Sequence, residues 1–215
     1  MVLHLTGRWL AIDCTTEACS VALLQDGALI AGEMRLLGRG HAEALVPMIA
    51  DLPERGQSPQ IAVGLGPGSF TGVRIGLAAA RALGLAWNAQ VWGYPTLALI
   101  AAMAQNGVDG DVLVATTGGH GEWFTQSFGS HASPLASLTP AQAAALPTHR
   151  VAGSQAQALV TQRGFGEALP LWPDARSLPL LPPALLTADL APIYGRAPDA
   201  KLPAAARGGM APAAA

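Results

Sequence analysis

The chain has 215 residues, 51% of them hydrophobic and only 12% charged, with a formal net charge of −2. That is enough apolar material for one large domain or two small lobes around a packed core. Lys201 is the sole lysine, so no basic stripe is available to neutralise a nucleic-acid backbone. The apolar stretch 75–87 is too short to cross a bilayer and is interrupted by Arg81. Residues 1–10 hold too little apolar sequence for a secretory leader, and the expected location is the cytoplasm.

In chain order, residues 9–13, 19–24 and 28–35 read as three strands, with Gln25-Asp26-Gly27 as the turn between the second and third. They predict a meander at the start of the domain. Residues 41–52 place Leu45, Met48, Ile49 and Leu52 at helical spacing, with Pro47 removing one backbone bond. A strand over 61–65 and a helix running to Trp87 follow, then a short strand over 91–93 and a helix over 95–104. Asn106-Gly107-Val108-Asp109-Gly110 is turn-rich and reads as a lobe boundary. Beyond it, 112–116 and 123–128 read as strands, while 140–146 and 155–164 read as short helices. The expected organisation is an N-terminal lobe over 1–106, a smaller lobe over 107–190 and an extension over 191–215. Residues 203–215 lack periodicity and are expected to be a disordered tail.

The run Gly64-Leu65-Gly66-Pro67-Gly68-Ser69-Phe70-Thr71-Gly72-Val73-Arg74-Ile75-Gly76 joins strand to helix through a glycine-rich turn, with Ser69 or Thr71 placed to cap the helix. Amides at a helix start suit an anion. However, no Lys-Ser or Lys-Thr follows the glycines and the spacing is not that of the dinucleotide motif, which favours a structural turn. Within the helix, Gly72, Gly76, Ala80 and Gly84 recur every fourth residue and share a nearly bare face. Helical glycine costs up to about 1 kcal/mol relative to alanine, so this face calls for close approach of another element. Packing within the domain and a partner helix both meet that need.

Cys14 and Cys19 are the only cysteines, and His4, His41, His120, His131 and His149 show no paired spacing, so a zinc site lacks ligands. Buried free thiols are expected, since a disulfide across the hairpin is disfavoured in a reducing cytosol.

Three segments carry a family resemblance: Leu10-Ala11-Ile12-Asp13-Cys14-Thr15-Thr16-Glu17-Ala18-Cys19-Ser20-Val21-Ala22-Leu23, the glycine run from Gly66 to Gly76, and Pro192-Ile193-Tyr194 with Arg196 and Lys201. Together, and in this order, they resemble the TsaB (YeaZ) family. The resemblance implies a two-lobed α/β actin-like, sugar-kinase-like and Hsp70-like ATPase fold with a reduced second lobe. It implies a non-catalytic subunit for making threonylcarbamoyladenosine beside the anticodon of tRNAs that read codons beginning with adenine. In that family the catalytic work belongs to a homologous partner, TsaD, helped by the ATPase TsaE, while TsaC supplies threonylcarbamoyl-adenylate. The tRNA is then reached only indirectly, and a homodimer is open to the chain without its partner.

The resemblance also assigns residues. Asp13, Thr15 and Thr16 occupy the hairpin where relatives of this fold cradle nucleotide phosphates; the plainer reading is a strand-end cap and turn hydroxyls. No resident cofactor is expected, with ATP or ADP left as an interface ligand to test. The catalytic partner holds a metal through two histidines one helical turn apart, whereas this chain has His41 followed by Leu45, so no metal is expected. In the family, two helices pack against their counterparts. That places His41, Leu45, Met48, Ile49 and Leu52 of the first and Gly72, Arg74, Gly76, Leu77, Ala80, Arg81 and Gly84 of the second at the expected interface. One departure stands out: Thr117 replaces the family's usual aspartate before Gly121-Glu122-Trp123-Phe124. His120 and Glu122 are two apart and need no acid–base explanation. The alternative functions are an ATPase or phosphotransferase of the actin-like superfamily, a peptidase-like protein, or a scaffold associated with an acetyltransferase.

Overall fold

The computed structural model describes residues 5–196, so Lys201 and the tail expected after residue 203 lie outside the described residues. A five-stranded sheet in the order β3-β2-β1-β4-β5 forms from β1 (Arg8–Asp13), β2 (Ala18–Gln25), β3 (Ala28–Leu36), β4 (Gln60–Gly64) and β5 (Gln90–Tyr94). The first three strands make the antiparallel meander, and β1 then pairs in parallel with β4. As a central strand covered on both faces, β1 is buried from Trp9 to Asp13.

Its alternate side chains feed two cores. Leu10 and Ile12, with Val21 and Leu23 of β2, meet α1 (His41–Ala50) and α2 (Phe70–Trp87). Trp9 and Ala11, with Ala22 and Leu24, meet α3 (Thr96–Ala104) and a 3-10 turn over Ala175–Leu180. Each fully buried Leu or Ile adds about 1.5–3 kcal/mol of apolar burial.

The second sheet has the order β10-β9-β6-β7-β8 and is built on β6 (Val112–Gly119) and β7 (Glu122–Phe128). The short strands β8 (Ala136–Leu138), β9 (Arg150–Ala152) and β10 (Glu167–Leu169) complete it. Leu97, Ile100 and Ala101 of α3 cover one face against Val112, Val114 and Phe124. On the other face, α4 (Pro140–Ala144) and α5 (Ala156–Arg163) bring Ala143, Ala156 and Leu159 against Leu113, Ala115 and Val151. Because α3 serves both sheets, it is apolar around most of its circumference.

The small-residue face of α2 is spent inside the chain. A Cβ on Gly72 would overlap the Cys14 carbonyl, and one on Gly68 would overlap the Thr15 carbonyl. Gly76 faces Val63 and Cys14, Gly84 faces Val91, and Ala80 and Leu77 lie in the core. Leu45, Met48, Ile49 and Leu52 are likewise buried against the first sheet, as is His41 beside the β1–β2 turn. This corrects the assignment of these ten residues to a partner surface. Helical periodicity reports which face is covered, and here the chain's own sheet covers it.

The backbone requirement is local. Gly72→Ala is expected to cost about 1–3 kcal/mol, since the new methyl must displace a carbonyl. Gly76→Ala is expected to gain about 0.5–1 kcal/mol, because its Cβ would sit in ordinary contact at 3.5 Å from Val63 and 3.6 Å from Cys14. Denaturant melts of the two variants check the pair.

Candidate functional site

The turn between β1 and β2 is organised by Asp13. Its Oδ1 accepts from the Thr15 amide at 2.9 Å and the Thr15 hydroxyl at 2.7 Å. Its Oδ2 accepts from the Tyr94 hydroxyl at 3.2 Å and the Thr96 hydroxyl at 3.4 Å. This one carboxylate therefore ties β1 to the end of β5 and the start of α3. Burial outweighs these bonds and pushes its pKa from 3.8 up to about 6.

Below the turn, His41 Nε2 lies 2.9 Å from the Thr16 carbonyl and 3.2 Å from the Ala18 carbonyl, fixing the start of α1 to the hairpin. Among the described residues, no three His, Cys, Asp or Glu side chains are grouped to hold a metal ion. Asp13 and Thr15 are fully buried, and Thr16 alone of the three proposed phosphate ligands lines a cleft. The Thr16 hydroxyl already accepts from the Ala18 amide at 3.3 Å. This corrects their grouping as a phosphate cradle: the residues present do not fit one, because Asp13 and Thr15 are consumed by the framework.

That cleft, about 800 Å³, opens between the hairpin turn, the start of α2 and the β6–β7 turn. Its lining includes Glu17, Thr117, Phe70, Phe124 and Tyr194. Arg74 stacks 3.5 Å over the Phe70 ring, and Phe70 meets Tyr194 at 5.5 Å between centroids. The Thr117 hydroxyl donates to Glu17 at 2.5 Å and accepts from Gln155 at 3.0 Å, so it links the β1–β2 turn to the second sheet's side of the cleft. Glu122 accepts from Ser137 at 2.6 Å and lies 3.8 Å from Arg196.

Sequence reasoning did not single out Glu17 or Phe70 for the cleft, although both sit inside quoted motifs. The Pro192-Ile193-Tyr194 motif finds its reason here. The Ile193 amide donates to the Leu65 carbonyl at 2.8 Å, and Gly195 lies against the Phe124 ring, so the segment straps the two sheets together. Arg81, expected at a partner's rim, donates instead to the Leu190 carbonyl at 3.1 Å, while its side chain stays at the surface.

The outer faces of α1 and α2 remain. Val46 is 63% exposed and Leu85 is 88% exposed, and Ala42, Ala50, Ala78 and Ala82 are exposed around them. Among the described residues, no helix is long and apolar enough to cross a membrane.

Comparison with known proteins decides the family. A model of the family described as TsaD, tRNA N6-adenosine threonylcarbamoyltransferase, matches residues 35–151. The tRNA threonylcarbamoyladenosine biosynthesis protein TsaB of Escherichia coli is 45% identical over 107 residues, covering 46% of each chain. The solved structure of YeaZ from Pseudomonas aeruginosa superposes with a TM-score of 0.71 at 27% identity, covering 88% of this chain and all of that one. The chain belongs to the TsaB (YeaZ) family. Its fold is the two-lobed actin-like one. An uncharacterized protein of Mycobacterium tuberculosis is 32% identical over 209 residues, covering 89% of this chain and 93% of that protein. The chain spans about half the length of the curated TsaB relatives it matches, 46% of the E. coli protein and 41% of the Haemophilus influenzae one.

The buried carboxylate has a pH signature. The folded pKa of Asp13 lies above its unfolded value, so the folded chain holds this proton more tightly. The contribution is fully present below about pH 4 and is lost as pH rises to about 6, a swing of about 3 kcal/mol. Asp13→Asn should remove that dependence, because the Tyr94 hydroxyl keeps the Ile12 carbonyl as acceptor at 3.1 Å. Melting temperatures of both proteins from pH 4 to 7 check this, and parallel curves would refute it.

Proposed function

We propose that this chain is a non-catalytic cytoplasmic subunit of the machinery that makes threonylcarbamoyladenosine in tRNA. It acts by dimerising with and activating a TsaD-type catalytic homologue, through which a TsaE-type ATPase and the tRNA are engaged. Family membership supports the pathway. The single observation that supports the mode of action is the outward face of α1 and α2, where Val46 and Leu85 stand exposed among alanines.

Exposed small residues let another helix pair approach closely, and two projecting aliphatic side chains supply anchors for it. Arg74 and Glu43 lie exposed at the margins of this face and are placed to set specificity through charge. The chemistry belongs to the partner in this reading. Three carboxylates at or near the cleft are engaged in structural bonds: Asp13 with four donors, Glu17 with Thr117, and Glu122 with Ser137.

Because the inward residues hold the fold, the test uses outward ones. Leu85→Arg and Val46→Glu should leave circular dichroism and melting unchanged. Each should weaken capture of the TsaD-type protein by more than about tenfold, the loss expected for a buried anchor. Capture at wild-type affinity would refute the interface. The role itself is checked by measuring threonylcarbamoyladenosine in bulk tRNA after deletion of the gene and again after its return. An undiminished level after deletion would refute it.

A further inference from the structure

We propose that Cys14 and Cys19 form a redox pair that closes to an intramolecular disulfide across the β1–β2 turn when the protein meets a hydroperoxide. The basis is geometry. The last paired residues of the hairpin are Asp13 and Ser20, so Cys14 and Cys19 occupy the next opposed positions. Opposed residues on antiparallel strands lie about 4.5–5.5 Å apart at Cα, inside the disulfide range of about 4.4–6.8 Å. The two sulfurs are already in contact at 3.4 Å, both are free, and both are buried. Closing the bond needs about 1.4 Å of further approach, which side-chain rotation and a small movement of a four-residue turn can supply.

The chemistry balances without further groups. Cys19, as thiolate, attacks the hydroperoxide, which cleaves its O–O bond and leaves as an alcohol, or as water from hydrogen peroxide. The sulfenic acid so formed is then attacked by the Cys14 sulfur, which forms the S–S bond and expels water. Two thiols lose two hydrogens, and the peroxide is reduced. The roles follow from the surroundings: the hydrogen bond to Cys19 and burial raise the Cys14 pKa well above the usual thiol value, while the hydrogen bond from Cys14 lowers that of Cys19. Burial makes the first step slow compared with an exposed thiol. Contact between the sulfurs makes the second step intramolecular, so closure outpaces further oxidation of Cys19.

The pair sits where a small movement matters. The Cys14 carbonyl lies against Gly72, and the Thr15 carbonyl accepts the Ser69 amide at 2.6 Å. Drawing the strand ends together therefore alters the seat of α2.

The test treats the full chain, folded, with hydrogen peroxide, then unfolds it in N-ethylmaleimide and measures intact mass. The expected result is a fall from two alkylated sites to none, with a monomer lighter by two hydrogens and both sites restored by dithiothreitol. Cys14→Ser should show no such closure and should instead gain oxygen on Cys19. Two surviving alkylated sites, oxygen added to the wild-type sulfurs, or a disulfide joining two chains would each overturn the proposal. Hydrogen exchange at the Ser69 amide should differ between reduced and oxidised chains; identical protection would overturn the coupling to α2.

Discussion

The contact on which most of this molecule depends is backbone against backbone, where the β1–β2 turn meets the start of α2. The absence of a Cβ at Gly68 and Gly72 lets the carbonyls of Thr15 and Cys14 approach to a distance that no other residue type permits. Ser69 then serves twice: its amide bonds the turn, and its side chain caps the helix by accepting from the Gly72 amide at 3.2 Å. With α2 seated, α1 is placed by His41 on the same turn, and the first core closes between the two helices and the sheet.

Asp13 adds a polar lock to this backbone contact. A buried carboxylate is costly, and four hydrogen bonds do not remove that cost, as its raised pKa records. What the arrangement secures is position. The Tyr94 and Thr96 hydroxyls both point to Asp13, so the end of β5 and the first turn of α3 are fixed to β1. Since α3 is shared by both sheets, this one carboxylate influences how the lobes stand to each other. The hairpin turn thus serves as a structural joint.

Much of the fold was legible from the chain. The meander, the glycine turn and the long helices were visible because each carries a pattern longer than its own period. The strands β8, β9 and β10 were missed for the converse reason, since three residues cannot display alternation. The proposed partner surface was the least legible part. Leu45, Met48 and Ile49 mark the stronger apolar face of α1, and Gly72, Gly76 and Gly84 the smoother face of α2, yet both look inward. The outward face is alanine with two larger aliphatic residues, a composition that no single sequence marks as a contact. The cleft was partly visible, because Glu17 and Phe70 lie in the motifs that carry the resemblance, but their convergence depends on the Thr117 bridge.

The covering of the first sheet has a consequence for biosynthesis. Its strands are all complete by Tyr94, but one of its faces is closed by Ala175, Leu178 and Leu181, and Ser20 bonds to the Pro173 carbonyl and the Ala175 amide. The strap at Ile193 comes later still. A nascent chain halted between α3 and Ala175 would display an apolar sheet face that α3 alone covers in part. Ribosome-bound intermediates of this protein should accordingly be substrates for chaperones until nearly the whole polypeptide has emerged, although the sheet in question is encoded first.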